Sequence, residues 1–232
     1  MIKFIQDFTK YPKDLDNTKW RINYGGHGFG NNELQYYKND HSNYYIDNLG
    51  LHIVSKKEKY DKNEYTSCKI SSIDTFMYGK ISFEIILPKY YGSWPAIWML
   101  SPTIKDVGWP SCGEIDLMEY ALKYPNKLHF SLHSKYHNHK NNTHRTYVLD
   151  NVDVNQPIKI DVYWQKDGFF YFVDGKKIHE FKKEEDWPFD QPFLIIMNMA
   201  VGGFFPNNPK EDYLNDEFII KKIIVTDEEY HG

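Results

Sequence analysis

The chain has 232 residues and a mass of 27.7 kDa. That length is ordinary for one all-β sandwich or barrel, and it hides roughly 70–75% of the unfolded surface without help from disulfides or metals. The formal net charge is −4, from 28 Lys+Arg against 32 Asp+Glu, and Arg21 and Arg145 are the only arginines. A net-negative chain nearly lacking the side chain that grips phosphates with two parallel bonds is a poor nucleic-acid binder. With a mean hydropathy of −0.66 and no apolar run near the roughly 18 residues of a membrane span, no membrane partner is expected either.

Aromatic residues make up 17% of the chain, with 14 Gly and 11 Pro, a composition that favours strands and turns over helices. Residues 1–16 contain no apolar stretch of signal-peptide length, so the chain is either made for the cytoplasm or shown without its leader. Leu49, Leu51 and Ile53 alternate with Gly50, His52 and Val54; Ile81, Phe83, Ile85 and Leu87 alternate with Ser82 and Glu84; Leu128, Phe130 and Leu132 alternate with His129, Ser131 and His133. Ile158, Ile160, Val162 and Trp164 lead to Asp167-Gly168, the run Phe169–Val173 and a second turn at Asp174-Gly175, which reads as a β-meander. Phe193, Ile195, Met197 and Met199 form another alternating strand, and Phe218–Val225 is an apolar one near the C-terminus. No window sustains helical periodicity. The reading is one all-β domain over residues 1–232, a sandwich or barrel. Cys68 and Cys112 lie too far apart for a CxxC metal site, and their spacing leaves a bridge and two free thiols both open.

The most informative stretch runs from Trp109 to Tyr120. On a regular strand Glu114 and Asp116 share a face and Glu119 falls on the other. One extra residue near Leu117 or Met118 restores Glu119 to that face, and bulges often re-aim side chains beside active sites. The two glutamates then stand about four strand steps apart, roughly 13 Å between Cα atoms. Side chains that lean together bring the carboxyls to roughly 5 Å, the separation of a retaining glycosidase. Asp116 between them raises the pKa of a neighbour by like-charge repulsion, as a general acid requires. The charge pattern alone also fits a solvated sheet face. Such a face gives no reason for a bulge-demanding spacing beside Trp94, Trp98 and Trp109, whose flat apolar rings suit sugar faces.

The motif Glu114-Ile-Asp116-Leu-Met-Glu119 resembles the active-site strand of glycoside hydrolase family 16, in its laminarinase-like branch of endo-β-1,3-glucanases. The segments Gly30–Tyr36, Tyr65–Ser67, Gly92–Leu100, Trp187–Asp190 and Met197–Gly203 are similar to that branch in the same order. The resemblance implies a concanavalin A-like β-jelly-roll of two curved antiparallel sheets with an open concave groove. It implies Glu114 as nucleophile, Glu119 as acid/base and Asp116 as the residue that holds the nucleophile and tunes its proton. It also implies substrate contacts from Asn32, Trp94, Trp98, Trp109, His133 and Asn198. The activity implied is hydrolysis of a laminarin-type β-1,3-glucan with retention, with mixed β-1,3/1,4-glucan as a further substrate. Rival readings are a hydrolase of sulfated galactan on the same scaffold, which the scarcity of arginine disfavours, and a non-catalytic glucan-binding module, which the retained glutamates disfavour. A secreted monomer is expected, because glucan polymers do not cross membranes.

Three departures from that pattern stand out. Cys68-Lys69 replaces the usual Gly-Arg, exchanging a planar fork for a point charge. Phe204-Phe205 replaces the usual Asn-Trp. Lys221 stands where many relatives have an aspartate that helps bind a structural calcium; an ammonium repels Ca²⁺, so no cofactor is expected and the calcium site is weak or absent. His129, His133, His137, His139 and His144 suggest a metal by number alone. Only His129 and His133 are expected to share a strand face, with the others in a polar loop, so no metal ligand is assigned. His133 is expected to face the groove, within reach of a sugar hydroxyl or the acid/base.

Overall fold

The computed structural model describes residues 1–10 and 14–232. Two sheets pack against each other around one core. The seven-stranded sheet is ordered Arg145–Leu149, Leu128–His133, Glu114–Glu119, Ser93–Leu100, Phe193–Val201, Lys69–Phe76, Trp20–Asn23. The ten-stranded sheet backs it, and its only parallel pairing among the described residues joins Gln35–Tyr37 to Tyr65–Ser67. The sheets do not close into a barrel. This is the jelly-roll the resemblance implied.

The alternation seen in the sequence becomes two layers. Leu128, Phe130 and Leu132 enter the core from one sheet, and Ile158, Ile160, Val162 and Trp164 enter it from the other. Aromatic rings bridge the gap: Trp164, stacked on Phe169 of its own sheet at 5.8 Å, meets Phe193 of the other edge-on at 5.6 Å, and Phe130 meets Tyr171 across the layers edge-on at 5.3 Å. Each such side chain taken out of water contributes roughly 1.5–3 kcal/mol. The meander forms, but its first turn is Lys166-Asp167, because Gly168 already pairs with Gln165 at the start of the next strand; at the second, Asp174 and Gly175 at φ 48° and 78° make the turn type that Asp-Gly favours. Leu49 departs from its reading: it is 47% exposed and precedes the strand Leu51–Lys56, because residues 47–50 turn back on themselves through paired Asp47 and Gly50 backbone bonds. Cys68 and Cys112 are both buried free thiols. No helix among the described residues is long and apolar enough to cross a membrane.

Candidate active site

The strand Glu114–Glu119 lies between Ser93–Leu100 and Leu128–His133. Along Ser93–Leu100, Glu114 pairs with Leu100, Asp116 with Trp98, Met118 with Ile97 and Glu119 with Ala96, so the register slips by one residue after Asp116. Leu117 is the extra residue. The sequence forces this: Leu117 and Met118 are consecutive apolar side chains, both fully buried, and a regular strand would leave one of them outside and drive Glu119 into the core. With the bulge, Ile115, Leu117 and Met118 point inward while Glu114, Asp116 and Glu119 line one groove on the outer face of the sheet. Five sequence positions span four partner positions, about 13 Å between Cα atoms at ~3.3 Å per residue.

Each glutamate is held by an indole. Trp109 Nε1 donates to Glu114 Oε2 at 3.1 Å, and Trp94 Nε1 donates to Glu119 Oε1 at 3.0 Å. Burial pushes the carboxyls of Glu114, Asp116 and Glu119 each up to about 8. Repulsion from Asp116 adds to the rise at both glutamates, opposed by His133 and, at Glu119, by the bond from Trp94. Carboxyls so raised hold protons near neutrality.

The groove has a volume of about 400 Å³. Of the residues expected in it, Trp94, Trp98, Trp109, Asn198 and the three acids line it. Trp98 Nε1 donates to Asn198 Oδ1 at 2.7 Å, Asn198 Nδ2 donates to Tyr37 Oη at 3.0 Å, and Tyr37 Oη reaches Glu33 Oε2 at 3.3 Å. Asn32 is exposed at φ 58° and is not among the lining residues; its neighbours Asn31 and Glu33 are. His133 is 5% exposed and lies behind the acids, with Nε2 3.1 Å from Asp116 Oδ2 and 3.8 Å from Glu114 Oε1. It therefore meets the acid at the start of the strand and Asp116, not Glu119, because its strand pairs it directly with Glu114.

Several lining residues had no assignment from sequence. Phe29, Glu33 and Tyr37 come from one segment; Glu33 lies within the Gly30–Tyr36 likeness, while Phe29 and Tyr37 flank it and carried no signal of their own. Lys69 stands in the groove with Nζ over the rings of Trp98 at 4.7 Å, Phe29 at 5.0 Å and Tyr37 at 6.0 Å. Burial lowers its pKa, opposed by Glu33 and Glu114. Phe205 fills in beside Trp94 at 5.2 Å and packs on Tyr124 and His129, while Phe204 is 67% exposed. Among the described residues, Glu114, Asp116 and His133 offer ligand atoms within 4.8 Å of one another. The Lys221 ammonium pairs with Glu84, and that position offers a calcium ion a cation where it needs an oxygen.

Paired carboxyl groups aimed from one strand into a groove are what glycoside hydrolases use to open glycosidic bonds, and the fold and these acids together define that class. The chain belongs to the glycosyl hydrolases family 16, whose family model matches residues 29–216. It is 36% identical to a beta-glucanase of Rhodothermus marinus over 85% of this chain and 73% of that protein. It is 31% identical to glucan endo-1,3-beta-glucosidase A1 of Niallia circulans over 82% of this chain, which spans about a third (32%) of that relative's length. The laminarinase catalytic domain of Thermotoga maritima superposes with a TM-score of 0.91 at 30% identity, covering 99% of both chains.

Proposed function

We propose that the chain is a retaining endo-β-1,3-glucanase, with Glu114 as nucleophile and Glu119 as acid/base. The observation that carries this reading is the register slip at Leu117, which sets both glutamates on one face of one groove. Glu114, as carboxylate, attacks the anomeric carbon while Glu119 gives its proton to the departing glycosidic oxygen. Esterification of Glu114 removes a negative charge beside Glu119. Because Glu119 raises the pKa of Glu114 by like-charge repulsion and such repulsion is mutual, its loss lets Glu119 release a proton more readily and act as base toward the incoming water. Water then displaces the ester from the opposite side, so the product is β-configured. Asp116 lies between the glutamates with His133 at 3.1 Å and holds the nucleophile's environment.

Trp98, Asn198, Tyr37 and Lys69 supply ring faces and donors beside the acids, and the lining residues come from several strands, which suits contact with more than one sugar of a polymer. Substrates of this chemistry are β-1,3-glucan and mixed β-1,3/1,4-glucan. The enzyme acts as a monomer outside the cell, where such polymers occur, and without calcium at the Lys221 position. Anomer-resolved NMR of the first product from laminarin tests the mechanism: β-product is expected, and α-product would overturn the assignment of Glu114. A ladder of mixed oligosaccharides at early times is expected of endo action; glucose alone would refute it.

A further inference from the structure

The loop after Leu128–His133 brings His139 and His144 back onto His133. The His133 and His144 rings stack at 5.3 Å and 12°, and His139 meets His133 edge-on at 5.3 Å. The histidines after the strand lie in a loop, as expected, and the loop's path carries two of them onto His133. Side-chain bonds fix the loop's path: Asn138 Nδ2 donates to the carbonyls of Ser134 and Lys135, Asn138 Oδ1 accepts from the Lys140 amide, and Thr143 Oγ1 donates to the Tyr136 carbonyl. Asp186 accepts from Ser134 Oγ and the Tyr136 amide.

Two nitrogens in this cluster lack partners. Nδ1 of His133 and Nδ1 of His144 are both buried without a hydrogen bond among the described residues, and a buried polar atom left unpaired is costly enough to call for an explanation. His133 holds its other nitrogen against Asp116. An imidazole oriented by a carboxylate through one nitrogen and free at the other is how metal-ligating histidines are arranged. His139 is exposed on the groove side, under Trp109 at 4.9 Å, which leaves the cluster an entrance.

We propose that His133, His139 and His144 form a site for a divalent transition-metal ion with nitrogen-ligand preference, of the Zn²⁺, Ni²⁺ or Cu²⁺ type. Each imidazole contributes one nitrogen, and His139 and His144 turn on their side-chain torsions to bring theirs to about 2.0–2.1 Å from the ion. The ion ties the loop to the strand beside Asp116.

Co²⁺ titration of the full chain, followed by its visible absorption and reversed with Zn²⁺, tests the site. A single saturable site is expected. His139→Asn and His144→Asn should each weaken Co²⁺ binding by about tenfold or more, since loss of a ligand costs at least as much as loss of an orienting partner. His137→Asn should leave it unchanged, because His137 Nδ1 already faces the Thr143 carbonyl. Unaltered melting temperatures for the variants show that the fold persists. No saturable binding would overturn the proposal. So would binding that survives both loop variants and is lost in Glu114→Gln, which would place the ion on Glu114, Asp116 and His133 instead.

Discussion

The two indole bonds to the glutamates predict opposite changes in the pH profile. An N–H donated to a carboxylate stabilises the ionised form, so its removal raises that carboxyl's pKa. Trp94→Phe deletes the 3.0 Å bond to Glu119 while keeping a ring against Phe205. Trp109→Phe deletes the 3.1 Å bond to Glu114. A hydrogen bond to a charged group is worth about 1.5–3 kcal/mol, and at 1.36 kcal/mol per pH unit each loss moves one titration by about one to two pH units. As the proposed acid/base, Glu119 acts protonated, so Trp94→Phe carries the alkaline limb of kcat/KM upward and broadens the profile. As the proposed nucleophile, Glu114 acts ionised, so Trp109→Phe carries the acid limb upward and narrows it. Initial rates on laminarin from pH 4 to 10 read both limbs. The reasoning is refuted if Trp94→Phe moves the acid limb, or if the two variants shift the same limb.

Glu114→Gln should cut turnover by about four orders of magnitude or more, as loss of a nucleophile does, with laminarin affinity by gel-retardation electrophoresis little changed. Because the three raised carboxyls hold protons in the folded chain that the unfolded chain has released, stability should fall as pH rises from about 4.5 to about 8. Melting curves at pH 5 and pH 8.5 check this, and Glu114→Gln should narrow the difference. Lys69→Met removes a charge that lowers the Glu114 pKa, so the acid limb should move upward by less than in Trp109→Phe, and Lys69→Arg should restore it. Leu117→Ala empties a fully buried position at about 2–5 kcal/mol, a fall in Tm of about 5–15 °C. The register keeps the bulge, so its activity at 25 °C should survive; a collapse of kcat with normal folding would show that the Leu117 side chain itself aims Glu119.

Local order along the chain determined a good deal of this protein. Period-2 alternation at Leu128–His133, Ile158–Trp164 and Phe193–Met199 became core-facing strands because a strand's side chains alternate whatever lies beyond it. The bulge was legible for the same reason: an acid, two apolar residues and another acid cannot all be satisfied on a regular strand next to a core. Partners distant in sequence were another matter. That Trp94 and Trp109 hold the glutamates by their N–H groups, that Lys69 sits among Trp98, Phe29 and Tyr37, and that His139 and His144 fold back onto His133 depend on which strands become neighbours and on the path of one loop. Periodicity reports which face a side chain takes. Only the packed sheets decide what stands opposite it, and with that the burial and the neighbouring charges that set where each acid gives up its proton.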